Sequence, residues 1–486
     1  MKPYLVGLLA LAAAAAAVLL NLPPRLPATA STLGATATPS LPPPATATSP
    51  SWNAAAFRGL GSLAFVSHGL LYVMRGGAVT QITHSGTTIH PEWSHDGQWL
   101  AFVRTSGAPY AQGGQLWLTR ADGSDAHAVP GAAGQAWFGP SGESYAWSPT
   151  ADVLAATPLT SPGPGGLYLV PPTGAPVPTA FAGRDVGSPV WSPDGTTVAV
   201  AVTAPGTRAD TLETVAVTTG AATVQYRAPA LTGLIIAGYS PDGGRIAFWV
   251  DPDHSASIAA DGLPLSILDL ATHAVTQLPK TLTYPAWLSW SPGGGSLAVV
   301  EGVNRWIWAG KGVVACDPTG RLGCTALLRA AGVQAGSYGP QFGNPGMVTL
   351  DPAWSPSGKT IALVQAVGRG NVGGWGGCPQ ATCSAAASQA YAPQQLAAWL
   401  KTRVLWLVDP NGEDARPLRS AGTGIYDPRW SAGGSHIVYI RNDAIWEVPV
   451  AGGPAERVAG PIDAGPDAPY GFYGYLRWSE GWAWYR

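Results

Sequence analysis

Trp191-Ser-Pro-Asp-Gly195, followed by the apolar stretch Thr197-Val-Ala-Val-Ala-Val202, is the pattern that decides the fold. The same order of an aromatic residue, a serine, a short turn and an apolar run returns along the chain. Repetition at intervals of roughly 40–50 residues is typical of proteins built from stacked structural repeats. The other clear copies are Trp93-Ser-His-Asp-Gly97, Tyr239-Ser-Pro-Asp-Gly243, Trp290-Ser-Pro-Gly-Gly294, Trp354-Ser-Pro-Ser-Gly358 and Trp430-Ser-Ala-Gly-Gly434, and weaker copies begin at Trp147 and Trp478.

One repeat can be interpreted strand by strand. The proline presets φ, the aspartate bonds to nearby backbone, and the glycine takes the position with positive φ, so the motif predicts a tight turn. The chain then returns as a run such as Ile246–Val250, rich in the residues that strands favour. A second apolar run such as Leu265–Asp269 follows, and after another turn comes a shorter, more polar segment. Each repeat therefore predicts a four-stranded antiparallel meander.

The predicted strands show little alternation of polar and apolar residues, so both faces of each sheet must be covered. Packing one meander between two neighbours covers both faces, and closing the ring limits exposed edges. The sequence thus predicts an all-β fold, a β-propeller of four-stranded antiparallel blades. We expect eight blades, with seven as the alternative if the Trp147 repeat is incomplete. Strands near the N-terminus, from Ser62 onward, are expected to pair with C-terminal strands at Tyr475–Trp478 and Trp482–Tyr485 and close the ring.

The chain divides into three parts. Residues 1–30 are predicted to be a signal peptide or an N-terminal membrane anchor, because 4–22 form an uncharged apolar stretch and Ala28-Thr-Ala30 offers a small-residue cleavage site. Residues 31–56, almost wholly Pro, Ala, Thr, Ser and Leu, are predicted to be a disordered linker. The propeller then occupies 57–486. Secreted and membrane-anchored forms stay open, and both place the propeller outside the cytoplasm.

Charge excludes one class of partner. Charged residues make up 11% of the chain, the net charge is −2, and no cluster of lysine and arginine occurs. Nucleic-acid binding proteins carry a basic patch or stripe, so we expect no nucleic-acid partner. Contact with a membrane is expected only through the N-terminal segment. We expect a monomer, and no motif predicts a cofactor.

The four cysteines fall into two close pairs. Cys316 and Cys324 flank a short turn, and Cys378 and Cys383 close a small loop. In an exported chain such pairs favour two disulfides. A zinc site built from all four would need closer, Cys-x-x-Cys-like spacing, so we predict no metal there.

The repeated Trp-Ser-Pro-Asp-Gly unit followed by an Ile-Ala-Phe-like strand resembles the TolB-type propeller repeat, a WD-repeat-like family of bacterial envelope proteins. It is also similar to the propeller domains of prolyl oligopeptidase-type peptidases. The resemblance covers essentially all of 57–486, and it implies a propeller in the cell envelope. It implies little about activity, because propellers carry many functions. The α/β-hydrolase domain of the peptidases has no room here, and no G-x-S-x-G motif occurs.

Two oversized segments and one connection on the same face are the candidate binding region. The first segment is Gly332–Leu350, just before Trp354, and the second is an insertion at 365–402 with a possible short helix at 393–401. The connection is Asp463–Tyr475. Long loops on a rigid scaffold are where binding residues concentrate. We therefore predict a non-enzymatic binding or scaffolding module that recognises an envelope or cell-surface protein, a peptide or a glycan. The alternatives are that the insertion merely caps the blades, or that the protein is a rigid spacer. The predicted contact residues are Tyr338, Phe342, Trp375, Tyr391 and Tyr470.

The rival hypothesis is an envelope hydrolase or lyase with carboxylates lining the central channel. Paired carboxylates can do acid–base work, but sequence cannot pair them across blades. Asp351-Pro352 and Asp427-Pro428 occupy equivalent positions, each three residues before the aromatic residue, which favours a structural role. His84, His90 and His95 lack regular ligand spacing and are predicted to be loop histidines rather than a metal site. The candidate channel carboxylates are Glu92, Glu143, Glu301, Asp351 and Asp427.

Overall fold

The turn that follows each aromatic residue has one geometry in all clear copies of the repeat. In the computed structural model of the protein, the last glycine of each turn has a φ between 66° and 71°, a region that glycine adopts without strain. Gly195 N donates to Ser192 O at 2.9 Å. Ser192 Oγ also donates to Asp194 Oδ1 at 2.6 Å and accepts from Thr197 N at 3.0 Å. The predicted turn is confirmed, and the serine hydroxyl braces the strand that follows it.

The structure describes 49–105, 114–134, 144–157, 165–181, 184–203, 209–252, 258–302, 307–328, 346–368, 397–464 and 474–486. Residues Ser49–Arg486 belong to one compact unit. The predicted signal or anchor segment and most of the predicted linker lie outside the described residues. Among the residues that are described, no helix has the length and apolar character needed to cross a bilayer.

The strands of the first half of the chain are β1 (Ser51–Trp52), β2 (Ser62–Ser67), β3 (Leu70–Arg75), β4 (Ala78–Gln81), β5 (Thr87–Trp93), β6 (Trp99–Thr105), β7 (Gly114–Arg120), β8 (His127–Gly134), β9 (Tyr145–Trp147), β10 (Leu154–Ala156), β11 (Tyr168–Val170), β12 (Val177–Pro178), β13 (Asp185–Val186), β14 (Val190–Trp191), β15 (Thr197–Thr203), β16 (Asp210–Ala216) and β17 (Ala222–Arg227).

Those of the second half are β18 (Gly233–Tyr239), β19 (Arg245–Asp251), β20 (Leu263–Asp269), β21 (Val275–Thr281), β22 (Ser289–Trp290), β23 (Leu297–Gly302), β24 (Lys311–Cys316), β25 (Cys324–Ala326), β26 (Met347–Trp354), β27 (Ile361–Val367), β28 (Val404–Val408), β29 (Ala415–Pro417), β30 (Ile425–Trp430), β31 (His436–Arg441), β32 (Ala444–Pro449), β33 (Glu456–Gly460) and β34 (Trp482–Tyr485). Described helical turns are short: α-helical turns at Ile258–Asp261 and at 397–400, and 3-10 turns at Pro285–Trp287, Arg419–Ala421 and Trp478–Glu480.

These strands form antiparallel meanders, as the repeat predicts. In the described part of the chain they divide into eight units of four strands, if β13 and β14, which both pair with β15, are counted as one interrupted strand and β1 is left aside. Two of the units join through the single pair Thr281–Glu301. We number the units along the chain. Unit 1 is β34-β2-β3-β4, unit 2 begins with β5, unit 3 with β9, unit 4 with β13 and β14, unit 5 with β18, unit 6 with β22, unit 7 with β26 and unit 8 with β30. The Trp147 repeat has all four strands, and the number of blades in the ring stays a prediction.

Tryptophans of the repeat join neighbouring units. Trp430 Nε1 donates to the carbonyl of Ala353 at 3.0 Å, the residue just before the matching Trp354 of the preceding unit. Trp93, Trp147 and Trp191 make the same bond to the residue before the matching aromatic residue of the preceding unit, at 2.8–3.2 Å. The recurrent indole therefore holds adjacent units together as well as filling the space between them.

The two ends of the chain meet. β34 pairs with β2, from Ser62 opposite Tyr485 to Phe65 opposite Trp482, so the predicted pairing of N- and C-terminal strands is confirmed. Upstream, β1 adds a fifth strand to unit 8 through β33. Phe57 then packs against Trp484, with ring centroids 5.9 Å apart. The paired segment thus begins before the boundary at residue 57 that composition indicates.

Burial follows position within each unit. The second strands are buried along most of their length, as in β6, β15 and β31, whereas fourth strands such as β17 and β4 are largely exposed. Burying an aliphatic or phenylalanine side chain contributes about 1.5–3 kcal/mol. The second strands, covered on both faces, therefore carry much of the core.

One weak copy of the motif was misplaced. Trp478 lies in a 3-10 turn rather than at the end of a strand, because Ser-Glu-Gly replaces the four-residue turn. Trp484 takes the equivalent place, since the preceding Ala483 accepts the bond from Trp93. The insertion after β27 connects the second and third strands of unit 7, as predicted. Of the possible helix at 393–401, the described residues 397–400 are helical.

Candidate functional site

Three first strands carry the same strained bulge. His90, Asp351 and Asp427 each precede a proline and have φ values of 55°, 51° and 47°. At each of them the register with the second strand shifts. Positive φ is uncommon for residues other than glycine, although Asp and His tolerate it best, and such strain clusters at functional sites. The predicted equivalence of Asp351 and Asp427 is confirmed, and both lie within the strand rather than at its entry.

A cavity of about 330 Å³ adjoins two of these bulges. We call it the inner cavity. The inner cavity lies beside the C-terminal halves of β26 and β30, which lead into the Ser-x-x-Gly turns. The insertion after β27 begins at the other end of unit 7, where Val367 pairs with Met347. Its lining includes Asp351, Trp354, Tyr426, Asp427, Arg429 and Trp478.

Asp351 is buried and paired with an arginine from the segment that leads into β28. Arg403, fully buried, donates from Nη2 to Asp351 Oδ2 and from Nε to the carbonyl of Ile425 at 2.7 Å. Its guanidinium carbon lies 3.9 Å from the ring centroid of Tyr426. Burial raises the pKa of Asp351 to about 6, although the charge of Arg403 opposes that rise. Burial likewise raises the pKa of Tyr426, so its hydroxyl stays protonated.

Asp427 is held by charge and by an indole. Arg429 donates to both of its oxygens, from Nε to Oδ1 at 3.0 Å and from Nη2 to Oδ2 at 2.7 Å. Trp482 Nε1 donates to Oδ2 at 3.1 Å, and the guanidinium of Arg429 lies 4.0 Å from a Trp482 ring centroid. Arg486, which also lines the inner cavity, donates to the carbonyl of Trp430 at 2.8 Å. Burial lowers the pKa of Arg486, and the charge of Arg429 adds to that effect.

A second cavity, of about 510 Å³, shares Arg429 and Arg486 with the first and is lined by His90. His90 Nε2 lies 3.4 Å from Glu480 Oε1, and Arg477 Nη1 lies 3.2 Å from the same oxygen. All three side chains are buried. His90 is a buried strand residue, so its assignment as a loop histidine was wrong. The signal that could have found it is His90-Pro91-Glu92-Trp93, which matches Asp-Pro-x-Trp at the two other bulges.

The inner cavity has donors without acceptors. The hydroxyl of Tyr426 and the indole N–H groups of Trp354 and Trp478 are buried and have no hydrogen-bond partner among the described residues. All three side chains line the inner cavity. Buried polar groups are nearly always hydrogen-bonded, and leaving one unpaired costs about 1–3 kcal/mol. The three donors belong to residues that line one cavity, where a ligand or water that reached them would supply the missing acceptors.

The predicted contact residues, Tyr338, Phe342, Trp375, Tyr391 and Tyr470, all lie outside the described residues, as do Cys378, Cys383 and Glu143. The disulfide between Cys316 and Cys324 is present. Of the candidate carboxylates, Asp351 and Asp427 meet at the inner cavity. Glu92 accepts from the backbone N–H of Trp147 at 3.2 Å and lines the second cavity, and Glu301 lies in β23.

One group of possible metal ligands occurs among the described residues, at the turns of units 2 and 3. Ligand atoms of His95, Asp96 and Asp152 lie within 4.8 Å of one another. His95 Nδ1 lies 2.9 Å from Asp152 Oδ1, and Asp96 Oδ1 accepts from Ser94 Oγ at 2.7 Å. These contacts lie at exposed or half-buried positions and join the turns of units 2 and 3.

No protein-family model and no curated protein matches the sequence. Among solved structures, the chain is similar to TolB from Acinetobacter baumannii, with 16% identity and a TM-score of 0.35, over 54% of this chain and 62% of that chain. It is similar to oligogalacturonate lyase from Vibrio parahaemolyticus, with 11% identity and a TM-score of 0.42, over 80% of this chain and 99% of that chain. It is also similar to prolyl oligopeptidase B from Galerina marginata, with 8% identity and a TM-score of 0.47, over 78% of this chain and 51% of that chain. The chain therefore spans less than two thirds of that TolB, and similarity to both TolB and enzymes of two classes selects no family.

Proposed function

We propose that the protein is a non-enzymatic extracytoplasmic binding module whose ligand enters the inner cavity. The observation that supports this most is the set of three buried donors, Tyr426, Trp354 and Trp478, that lack partners among the described residues. Both carboxylates of the cavity are already bonded to arginines, so neither is free to exchange protons readily with a substrate. The ligand belongs to a peptide, a glycan or a protein of the envelope. Tyr338, Phe342, Trp375, Tyr391 and Tyr470 form a second proposed contact surface.

The proposed location rests on two features. Disulfides persist in oxidising compartments, and Cys316 and Cys324 are joined. The apolar stretch at 4–22 would deliver the chain out of the cytoplasm, either cleaved or retained as an anchor.

The test is binding of the full-length protein to an array of short peptides and oligosaccharides, followed by titration of each hit. Tyr426→Phe removes one cavity hydroxyl and should weaken the hit about fivefold to tenfold, the value of one hydrogen bond. Tyr439→Phe is the matched control, because the Tyr439 hydroxyl donates to Ala421 O at 2.8 Å and lies away from the cavity. The paired variant Trp375→Ala, Tyr391→Ala tests the second surface. An array without hits, or hits indifferent to all of these changes, would overturn the proposal.

The alternative is a hydrolase or lyase, and one observation favours it. A buried carboxyl whose pKa lies near 6, as for Asp351, has the character of a general acid. If a hit from the array is chemically converted on prolonged incubation, and Asp351→Asn stops conversion while binding persists, the enzyme hypothesis replaces the binding one.

A further inference from the structure

The chemistry of the inner cavity favours a ligand that carries hydrogen-bond acceptors. An indole N–H can only donate, so Trp354 and Trp478 cannot be satisfied by a ligand donor. The oxygens of Asp427 already accept from Arg429 and Trp482. Asp351 already accepts from Arg403. The hydrogen-bonding groups that remain unused at this cavity are therefore mostly donors.

The missing partner of Trp354 marks a break in the repeat. Trp93, Trp147, Trp191 and Trp430 each donate to a backbone carbonyl of the preceding unit. By that rule Trp354 would donate to the carbonyl of Ser289. Instead the backbone N–H of Trp354 donates to the Ser289 hydroxyl at 3.0 Å, and the indole N–H is left without a partner among the described residues. The indole N–H of Trp290 also lacks a partner among the described residues, but Trp290 does not line the inner cavity, so of these two breaks in the repeat only the one at Trp354 adjoins the cavity.

The position of the Tyr426 hydroxyl is also fixed before any ligand arrives. Its ring lies against the Arg403 guanidinium and 5.8 Å, centroid to centroid, from Trp478. Because these rings are buried, the two donors cannot turn away to reach solvent. Preorganised donors lose little entropy when they bind an acceptor.

Charge around the cavity favours an anion. Asp351 and Asp427 are balanced by Arg403 and Arg429, and Arg486 lines the cavity as an additional guanidinium. An arginine suits a carboxylate because it presents several N–H donors in one plane. Walls that include Trp287 and Trp430 suit an apolar or flat group beside it.

We infer that the inner cavity binds a small carboxylate whose oxygens accept from Tyr426, Trp354 and Trp478 and whose charge is met by Arg486. This rests on the proposed function, and it specifies the chemical class of the ligand. The cavity of about 330 Å³ admits a group of modest size, such as an aryl acid or one acidic unit of a longer chain.

The test uses phenylacetate and its neutral amide, phenylacetamide, titrated calorimetrically into the full-length protein. Fragments of this size bind with dissociation constants on the order of millimolar. Phenylacetate should bind at least about tenfold more tightly than the amide, and its affinity should fall with added salt. Arg486→Met and Tyr426→Phe should each weaken phenylacetate about fivefold or more. Arg120→Met is the control, because Arg120 pairs with Asp125 on the exposed surface.

The outcomes separate the two proposals. Equal binding of acid and amide, or acid binding that Arg486→Met leaves unchanged, overturns the carboxylate inference. If at the same time an array hit depends on Tyr426, the binding function stands with a neutral ligand. If neither probe nor array hit depends on Tyr426, and no hit depends on Trp375 and Tyr391, both proposals fail. A cooperative thermal unfolding transition for each variant, as for the wild type, shows that the loss of affinity does not come from a loss of structure.

Discussion

Arg403 and Asp351 form a buried ion pair that links the first strand of unit 7 to the segment that enters its third strand. Their side chains are almost fully shielded from solvent, and 52 residues separate them along the chain. The same guanidinium also contacts the Tyr426 ring of unit 8. Because Asp351 and Tyr426 line the inner cavity and both contact Arg403, this ion pair helps to hold the cavity wall in place. Substitutions of the pair are therefore the most direct test of what stabilises that wall.

Removing one partner of this pair should be costly. Arg403→Met leaves a buried carboxylate without its cation and should lower the free energy of unfolding by about 3–5 kcal/mol. The double variant Arg403→Met, Asp351→Leu removes both charges and should recover much of that loss. Urea unfolding of the wild type, Arg403→Met, Asp351→Leu and the double variant measures the coupling. A double variant no more stable than Arg403→Met would contradict the assignment.

Stability should fall as pH rises through the range where Asp351 titrates. Its folded pKa is raised to about 6 from an ordinary value of 3.8, so between those values the native state holds a proton that the unfolded chain has lost. The free energy of unfolding then falls with pH by up to about 1.4 kcal/mol per unit. The groups that face this carboxyl are Arg403, Asp427, Tyr426 and Trp287.

Asp351→Asn should lack that dependence. From about pH 4 to about pH 7, the free energy of unfolding of the wild type should fall relative to that of Asp351→Asn by up to about 3 kcal/mol. Parallel curves for the two proteins would contradict the raised pKa.

The contribution of the indole hydrogen bond between units to stability can be measured by comparing a tryptophan that makes this bond with one that does not. Trp430→Phe loses the bond to Ala353, whereas Trp354→Phe loses the same ring volume but no bond within the described part of the chain. Trp430→Phe should therefore be the more destabilising of the two, by about 1 kcal/mol. Thermal and urea unfolding of both variants measure the difference. Equal losses would mean that the bond adds nothing to packing.

The segment before β2 should help to hold the ring closed. Phe57 is 3% exposed and packs on Trp484, so Phe57→Ala should cost about 3–5 kcal/mol. Trp52 is 46% exposed, and Trp52→Ala should cost less than about 1 kcal/mol. Amide hydrogen exchange in β34 and β2 should quicken in the first variant alone. Unchanged exchange there would show that closure depends only on the strand pairing.

The cysteines give a direct chemical test. Cys316 and Cys324 are joined, and spacing predicts the same of Cys378 and Cys383. The denatured, unreduced protein should then show no reactive thiol, and reduction should release all four. Two thiols before reduction would leave the second bridge unformed.

Much of the fold was predictable because it is written locally. The Ser192 hydroxyl, the Asp194 carboxylate and the Gly195 backbone all act within one turn, so their pattern can be recognised in the chain itself. The terminal pairing was predictable because unit 1 lacked its first strand. Trp484 was missed because the turn that would mark it is absent at the end of the chain.

The candidate site was only partly predictable. Asp351 and Asp427 could be aligned through the proline and tryptophan that follow them, and His90 fits the same pattern. Arg403, Tyr426 and Trp478 carry no such signal. Their roles depend on which side chains meet across units, and the repeat says nothing about that.

The sequence by itself determined that the chain is a series of four-stranded meanders joined by tight turns, since each turn is encoded by neighbouring residues and each strand by its run of apolar ones. Only the tertiary structure decided that Arg403 reaches Asp351 and that one cavity is lined by Trp354, Tyr426 and Trp478, whose buried donors lack partners among the described residues. Packing of one unit against the next sets those distances. Such packing joins residues far apart in the chain, so no local pattern records it.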